Sequence, residues 1–123
     1  MAKIPVISIV DDDTSVRESL QSLIRSVGFA AEVFASAEEF LNSDHPRNTD
    51  CLILDIRMPG MSGLELQHQL VASGGEIPVI FITAHGDQET RSQALKDGAV
   101  EYLLKPFSEE RLLNAIDMAL SSK

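Results

Sequence analysis

Three consecutive aspartates, at positions 11–13, directly follow an apolar segment, and a fourth aspartate, Asp55, directly follows another. Crowded carboxylates repel one another, and burial favours their protonated forms. A hard divalent cation such as Mg²⁺ relieves this repulsion and prefers oxygen ligands to histidine or cysteine. Asp11, Asp12 and Asp55 can therefore form a magnesium site if the two segments lie side by side. Asp13 can instead cap the helix that follows, and a solvated turn is the simpler interpretation of the aspartate run taken alone.

Thr83 and Lys105 directly follow two further apolar segments. An ammonium group and a bound cation together can neutralise the charge of a phosphoryl group. Asp55 would then be the nucleophile and form an aspartyl phosphate, while the Thr83 hydroxyl donates a hydrogen bond to a phosphoryl oxygen. The residue types thus predict phosphoryl transfer, provided that the fold brings them together.

The elements that must position these residues are five apolar segments that alternate with five helix-like segments. Three of the five apolar segments have the nearly continuous β-branched and aliphatic pattern of strands buried on both faces of a parallel sheet. They lie at residues 5–10, 31–34, 51–54, 79–82 and 100–104. The five helices are predicted from Val16 to Gly28, from Ser36, from Ser62, from Asp87 to Gly98, and from Ser108, with a surface loop at 43–50. This alternation predicts one α/β domain, residues 1–123, with a doubly wound parallel sheet.

The strand order decides which residues meet, because ligands of doubly wound sheets bind beyond the carboxyl ends of the strands. The flavodoxin-like order 2-1-3-4-5 is adopted here by analogy with known sheets. In that order the first and third strands are neighbours, so Asp11, Asp12 and Asp55 come together. Thr83 and Lys105 lie farther along the same edge.

The composition argues against several other functions. Ten Lys and Arg residues stand against nineteen Asp and Glu, a net charge of −9, which disfavours direct binding of nucleic acid or an anionic membrane. No apolar stretch approaches the ~20 residues of a membrane span, and no basic segment precedes an apolar core at the start of the chain. A single cysteine cannot form an intramolecular disulfide. We therefore expect a cytoplasmic protein.

Four motifs resemble the receiver domain of two-component response regulators, and the resemblance covers essentially the whole chain. They are IVDDD at residues 9–13, LDIRMPGMSG at 54–63, ITAHG at 82–86 and LKPF at 104–107. The stretches TAHGD and AVEY are similar to the FixJ type in particular. Each motif alone is weak, but their combination is specific.

The resemblance implies that Asp55 is the phospho-acceptor for a histidine kinase and that Mg²⁺ is the cofactor. Asp12, Asp55 and the backbone carbonyl of Arg57 would bind the metal directly, and Asp11 would hold a metal-bound water. The protein would be a switch that catalyses only its own phosphorylation and dephosphorylation. The resemblance to the FixJ type implies control of a transcriptional output domain, which this sequence does not contain.

The resemblance also assigns roles around Lys105. This lysine would pair with the phosphoryl group, and its bond to Pro106 is expected to be cis. Thr83 and Tyr102 would be the switch pair, although Tyr102 could equally be an ordinary edge-strand aromatic. The kinase would dock near the first helix and the loop after Lys105.

The output face would comprise the fourth predicted helix, the fifth strand and the fifth helix. Its mixed charges suit either phosphorylation-dependent homodimerisation or an ordinary solvated surface. Arg57 and His85, two residues after Asp55 and Thr83 respectively, flank the path of an attacking water. Both are therefore predicted to tune the lifetime of the phosphoryl group.

Two other functions remain as alternatives. The spacing of Asp11 and Asp13 is superficially similar to the nucleophile motif of haloacid-dehalogenase-like phosphohydrolases. The chain is short for that family, however, and it has no insertion that could form a cap. A receiver-like adaptor that binds partners without phosphorylation is the second alternative, but none of the chemically required residues is missing.

Overall fold

The computed structural model describes residues 3–121, which form five strands and six helical segments. In chain order these elements are β1 Val6–Val10, α1 Thr14–Ser26, β2 Ala30–Phe34, α2 Ala37–Leu41, α3 His45–Asn48, β3 Cys51–Asp55, α4 Gly63–Ala72, β4 Val79–Thr83, α5 Gln88–Lys96, β5 Glu101–Leu104 and α6 Glu109–Ser121. None of the helices within residues 3–121 has the length and apolar character needed to cross a bilayer.

The strands form one parallel sheet in the order β2-β1-β3-β4-β5, which confirms the predicted doubly wound fold. The pairing aligns the carboxyl ends of the central strands. Val10 pairs with Leu54, and Asp55 pairs with Ile82, one residue before Thr83. The polar residues that end β1, β3 and β4 therefore reach the same edge at nearly the same level.

Helices cover both faces of the sheet. Alternate residues of a strand point to opposite faces, so β1 contributes Ile7 and Ile9 to one apolar layer and Val10 to the other. The first layer includes residues of α1 and α6, and the second includes residues of α2, α4 and α5. All five residues of β3 are buried, which accounts for its uninterrupted apolar sequence before Asp55.

Side-chain caps fix the starts of the helices next to the strand ends. The Asp13 carboxylate accepts from the Ser15 amide at 2.8 Å and begins α1. Ser62 and Glu65 form both bonds of the predicted capping box of α4. Asp87 accepts from the Thr90 amide and begins α5. Each cap satisfies a backbone donor that the helix leaves unpaired.

The segment predicted to be a loop at 43–50 contains the helical turn α3, so the prediction of five helices was wrong by one short segment. Pro46 lies at the start of this turn, where its missing N–H costs nothing. The Thr49 hydroxyl donates to the carbonyl of His45 and closes the turn. Four residues are too few to show helical periodicity. The predicted fourth and fifth helices are α5 and α6.

Candidate functional site

A crevice at the carboxyl edge of the sheet holds three carboxylates. One carboxylate oxygen from each of Asp11, Asp12 and Asp55 lies within 4.8 Å of the other two. Asp11 is fully buried and Asp55 is 6% exposed, whereas Asp12 is exposed. The structure therefore brings together the three aspartates predicted to share one site.

The Lys105 ammonium group enters the crevice from the end of β5. Its Nζ lies 2.8 Å from Oδ2 of Asp11 and 3.9 Å from Oδ2 of Asp55. The Lys105 amide donates to the carbonyl of Thr83, which fixes the start of this loop against β4. The Lys105–Pro106 peptide bond is cis. The Lys105 ammonium group thus faces the nearly buried carboxylates of Asp11 and Asp55.

The crevice holds more negative than positive charge, and this excess affects the pKa of Asp55. Burial raises the pKa of Asp55 to about 6, and the charges of Asp11 and Asp12 act in the same direction. Lys105 and the amide of Ile56 lower it, without offsetting the rise. An all-oxygen cluster with three carboxylates and one ammonium group fits a hard divalent cation such as Mg²⁺.

Asp13 stands apart from this cluster, although it belongs to the same aspartate run. Its carboxylate caps α1, and its amide donates to Oδ1 of Asp11 at 2.9 Å. Both carboxylate oxygens of Asp11 therefore accept hydrogen bonds, one from Asp13 and one from Lys105. The aspartate run therefore has two roles. Asp13 caps α1, and Asp11 and Asp12 contribute carboxylates to the cluster.

Arg17 contacts the turn that carries the candidate site, and the sequence did not reveal this role. Its Nη1 donates to the backbone carbonyl of Asp11 at 2.8 Å, and its Nη2 donates to the Thr14 hydroxyl at 3.0 Å. The guanidinium group thereby braces the turn that carries Asp11 and Asp12. The only sequence signal is a basic residue in the first half of an otherwise ordinary amphipathic helix.

The predicted switch residues lie on neighbouring strands. Tyr102 of β5 pairs with Phe81, two residues before Thr83 on β4, so the Thr83 and Tyr102 side chains share one face of the sheet. Thr83 is buried and its Oγ1 accepts from the amide of His85 at 3.1 Å. The Tyr102 ring is also buried, which raises the pKa of its hydroxyl. That hydroxyl lies near the backbone of Asp87 but makes no hydrogen bond of regular geometry within residues 3–121.

Arg57 and His85 are exposed on the loops that follow β3 and β4. The Arg57 charge also reaches the start of α5. Hydrogen bonds from Thr90 hold the pKa of Asp87 below its usual value, and Arg57 adds to this effect. Arg57, two residues after Asp55, is therefore close enough to the first turn of α5 to act on the Asp87 carboxylate.

Comparisons with known proteins identify the family. Residues 7–117 match the response regulator receiver domain. The response regulator protein TodT of Pseudomonas putida is 53% identical over 115 residues, which cover 94% of this chain and 51% of TodT. The structure of response regulator StyR has a TM-score of 0.90 at 52% identity, with 98% of this chain and 61% of that chain covered. FixJ-N has a TM-score of 0.88 at 39% identity, covers 99% and 98% of the two chains, and confirms the resemblance to the FixJ type. The chain spans about half the length of such curated relatives, and it belongs to the receiver-domain family of response regulators.

Proposed function

We propose that this chain is a phosphorylation-controlled switch in which Asp55 accepts a phosphoryl group from the phosphohistidine of a histidine kinase. The observation that carries the proposal is the clustering of three carboxylates with the Lys105 ammonium group at one edge of the sheet. Receiver domains of response regulators act with histidine kinases, which supports the choice of donor. As the resemblance to the FixJ type implies, the switch would control a transcriptional output domain.

The transfer step requires one free nucleophilic oxygen. A carboxylate oxygen of Asp55 attacks phosphorus, the bond from phosphorus to the imidazole nitrogen breaks, and that nitrogen keeps the electron pair and takes up a proton. Lys105, now 2.8 Å from Asp11, is close enough to Asp55 to pair with the phosphoryl oxygens after a small shift. Thr83 can donate its hydroxyl hydrogen, because its Oγ1 only accepts from His85.

Three ligands would hold the cofactor in this site: Asp12, Asp55 and the backbone carbonyl of Arg57. Asp11 would act through a water, as the resemblance implies, while its oxygens keep their hydrogen bonds from the Asp13 amide and Lys105. Bound Mg²⁺ would neutralise charge on the carboxylates and on the incoming phosphoryl group.

The phosphohydrolase alternative requires Asp11 to be the nucleophile. Asp11 is fully buried, and both of its carboxylate oxygens accept hydrogen bonds. A nucleophilic oxygen must instead be free to approach phosphorus. The geometry therefore favours Asp55 over Asp11 and favours the switch over the hydrolase.

A groove between α1 and the loop after β5 suits the proposed kinase contact. It has a volume of about 380 Å³ and lies beside Lys105. Val16, Leu20 and Leu23 of α1 contribute to its wall. A helix of the kinase seated there would present its phosphohistidine to the adjacent crevice.

The surface formed by α5, β5 and α6 is proposed as the output face and as a phosphorylation-dependent homodimer contact. Leu104 and Met118 are 53% and 54% exposed, so two large apolar side chains on β5 and α6 lie uncovered by the chain itself. Sedimentation of the acetyl phosphate-treated chain should show dimers, and Leu104→Arg should abolish them. The matched change Val27→Arg, at an exposed site at the end of α1, should leave them intact.

Arg57 and His85 are proposed to tune the lifetime of the aspartyl phosphate. Both are exposed and lie two residues after Asp55 and Thr83, a position from which they would obstruct or admit a water. Dephosphorylation of Arg57→Ala should be faster than that of the parent. A rate no faster than the parent's would contradict a shielding role.

The phospho-acceptor assignment is tested by treating the chain with acetyl phosphate and Mg²⁺ and measuring its intact mass. The parent should gain one phosphoryl group, and Asp55→Asn should gain none. Asp13→Asn is the matched control, because Asp13 lies in the aspartate run but outside the cluster, and it should be labelled like the parent. Labelling of Asp55→Asn, or repeated turnover of a small phosphoester, would overturn the proposal.

A further inference from the structure

The loop between β3 and α4, residues 56–62, is held at its far end by a side chain from another helix. The amides of Ser62 and Gly63 have acceptors within the loop and α4. The Met61 amide instead donates to Oε2 of Glu38, on α2, at 3.0 Å. Glu38 and Met61 are 23 residues apart in the chain, so this bond links two elements that the sequence does not connect directly.

Gly60 makes room for this bond. Its φ is +76°, a left-handed conformation that glycine adopts without steric cost. A Cβ at this position would lie 2.6 Å from Oε2 of Glu38, well inside van der Waals contact. Any side chain at residue 60 would therefore have to displace the carboxylate that binds the Met61 amide. Gly60 thus leaves open the space that the Glu38 carboxylate occupies.

We propose that Glu38 is a positioning residue for the phospho-acceptor site. The loop directly follows Asp55, carries the carbonyl of Arg57 four residues before Met61, and is tethered at Met61 by the Glu38 carboxylate. This inference rests on the proposed function, because the Arg57 carbonyl matters only if the crevice binds a cation. Glu38 itself touches none of the reacting groups.

The tether acts by restricting the loop before the cation arrives. A loop fixed at both ends has fewer conformations to lose when one of its carbonyls becomes a ligand. Without the bond, ordering the loop would be part of the cost of binding. Loss of Glu38 should therefore weaken cation binding while leaving the three carboxylates in place.

The tether is tested directly by hydrogen exchange of the Met61 amide, measured by NMR on the metal-free chain. Glu38→Ala should lower its protection about tenfold, as expected for a hydrogen bond to a charged group. Glu38→Gln retains a side-chain acceptor and should restore most of the protection. Glu39→Ala removes the same charge from the next exposed position of α2 and should change nothing. Unchanged protection in Glu38→Ala, or an equal loss in Glu39→Ala, would overturn the proposal.

The functional consequence is measured by titrating the same variants with Mg²⁺. The dissociation constant should rise about threefold in Glu38→Ala and return towards the parent value in Glu38→Gln. Because the exchange measurement needs neither metal nor phosphoryl donor, failure of the tether is distinguishable from failure of phosphorylation at Asp55. A normal dissociation constant in an untethered Glu38→Ala chain would refute the positioning role.

Gly60→Ala provides an independent check through a double-mutant cycle. In the parent, its Cβ should displace the Glu38 carboxylate and lower Met61 protection. In the Glu38→Ala background the tether is already absent, so Gly60→Ala should lower the protection less than in the parent, by only the strain of an alanine in left-handed backbone. Fully additive losses would contradict a shared mechanism.

Discussion

The two edges of the sheet bury polar groups in different ways. Towards the amino edge, Ser8 in the middle of β1 and Thr49 just before β3 are buried and their hydroxyls form a 2.6 Å hydrogen bond, while an Asp50 carboxylate oxygen accepts from the Val6 amide at 2.8 Å. At the carboxyl edge, three carboxylates share one ammonium group, and the pKa of Asp55 is raised to about 6. The buried hydroxyls of the first edge are paired, whereas the second edge carries an excess of negative charge.

This difference separates structural polar groups from functional ones. Paired hydroxyls stabilise a fold and need nothing further. Carboxylates that are buried together destabilise the fold unless a cation or a proton joins them. A perturbed pKa beside specific charge partners therefore marks the carboxyl edge as the candidate site, in a chain whose other buried polar groups include neutral, hydrogen-bonded ones.

The largest effect on the free energy of unfolding should follow removal of the Lys105 ammonium group from the crevice. Lys105→Ala leaves buried Asp11 without its 2.8 Å partner and should lower the free energy of unfolding by about 3–5 kcal/mol. Lys3→Ala, at an exposed site, should change it by less than about 0.5 kcal/mol. Urea denaturation measures both. Adding Asp11→Asn to Lys105→Ala should recover part of the loss, and no recovery would show that the pairing is not the cause.

The next largest effect should be the pH dependence of the free energy of unfolding, which follows from the excess negative charge of the crevice. Asp55 binds its proton more tightly in the folded chain, so stability falls as pH rises from about 4 to the folded pKa of about 6, and the penalty persists above it. In EDTA at pH 8, Asp55→Asn should therefore be more stable than the parent by about 1–3 kcal/mol. The gain should vanish near pH 4. An equal gain at both pH values would point to a cause other than ionisation.

Towards the amino edge, loss of one of the two paired hydroxyls should lower the free energy of unfolding and leave phosphorylation by acetyl phosphate unchanged. Thr49→Val leaves the buried Ser8 hydroxyl without its partner and should cost about 1–2 kcal/mol. The double variant Ser8→Ala, Thr49→Val should lie closer to the parent, because no unpaired Ser8 hydroxyl remains, although the loss of the Thr49 bond to the His45 carbonyl is common to both variants. Acetyl phosphate labelling should be normal in both. Altered labelling would show that the two edges are not independent.

The smallest effect is expected at Tyr102. Its buried hydroxyl has no regular hydrogen bond within residues 3–121, so Tyr102→Phe removes an unpaired polar group. The free energy of unfolding should change by less than about 0.5 kcal/mol or rise slightly. A loss above 1 kcal/mol in urea denaturation would reveal a bond from this hydroxyl that stabilises the fold.

The sequence predicted what depends on local pattern. Short apolar runs, three of them nearly continuous, predicted all five strands. Once a strand order was assumed, the residues directly after these runs predicted that Asp11, Asp12 and Asp55 meet, with Thr83 and Lys105 farther along the same edge. It did not reveal Arg17, whose role depends on how a flexible side chain folds back to a carbonyl of the preceding turn. Nor did it reveal α3, which is too short to show a period.

The tether of Glu38 to Met61 was also beyond sequence reasoning. Both residues lie in segments whose patterns were assigned correctly, yet nothing in either pattern indicates that α2 and the loop after β3 make contact. Only the sheet order brings β1 between β2 and β3 and places these two connections on the same face. Long-range side-chain bonds of this kind require the fold itself.

Calorimetric titration of the metal-free chain with Mg²⁺ tests the central claim, that Asp11, Asp12 and Asp55 form one cation site, most directly. The parent should bind one Mg²⁺ per chain, Asp12→Asn and Asp55→Asn should each lose most of the affinity, and Asp13→Asn should bind like the parent. A parent that binds no Mg²⁺, or an Asp13→Asn variant that loses affinity as strongly as Asp12→Asn, would contradict the account.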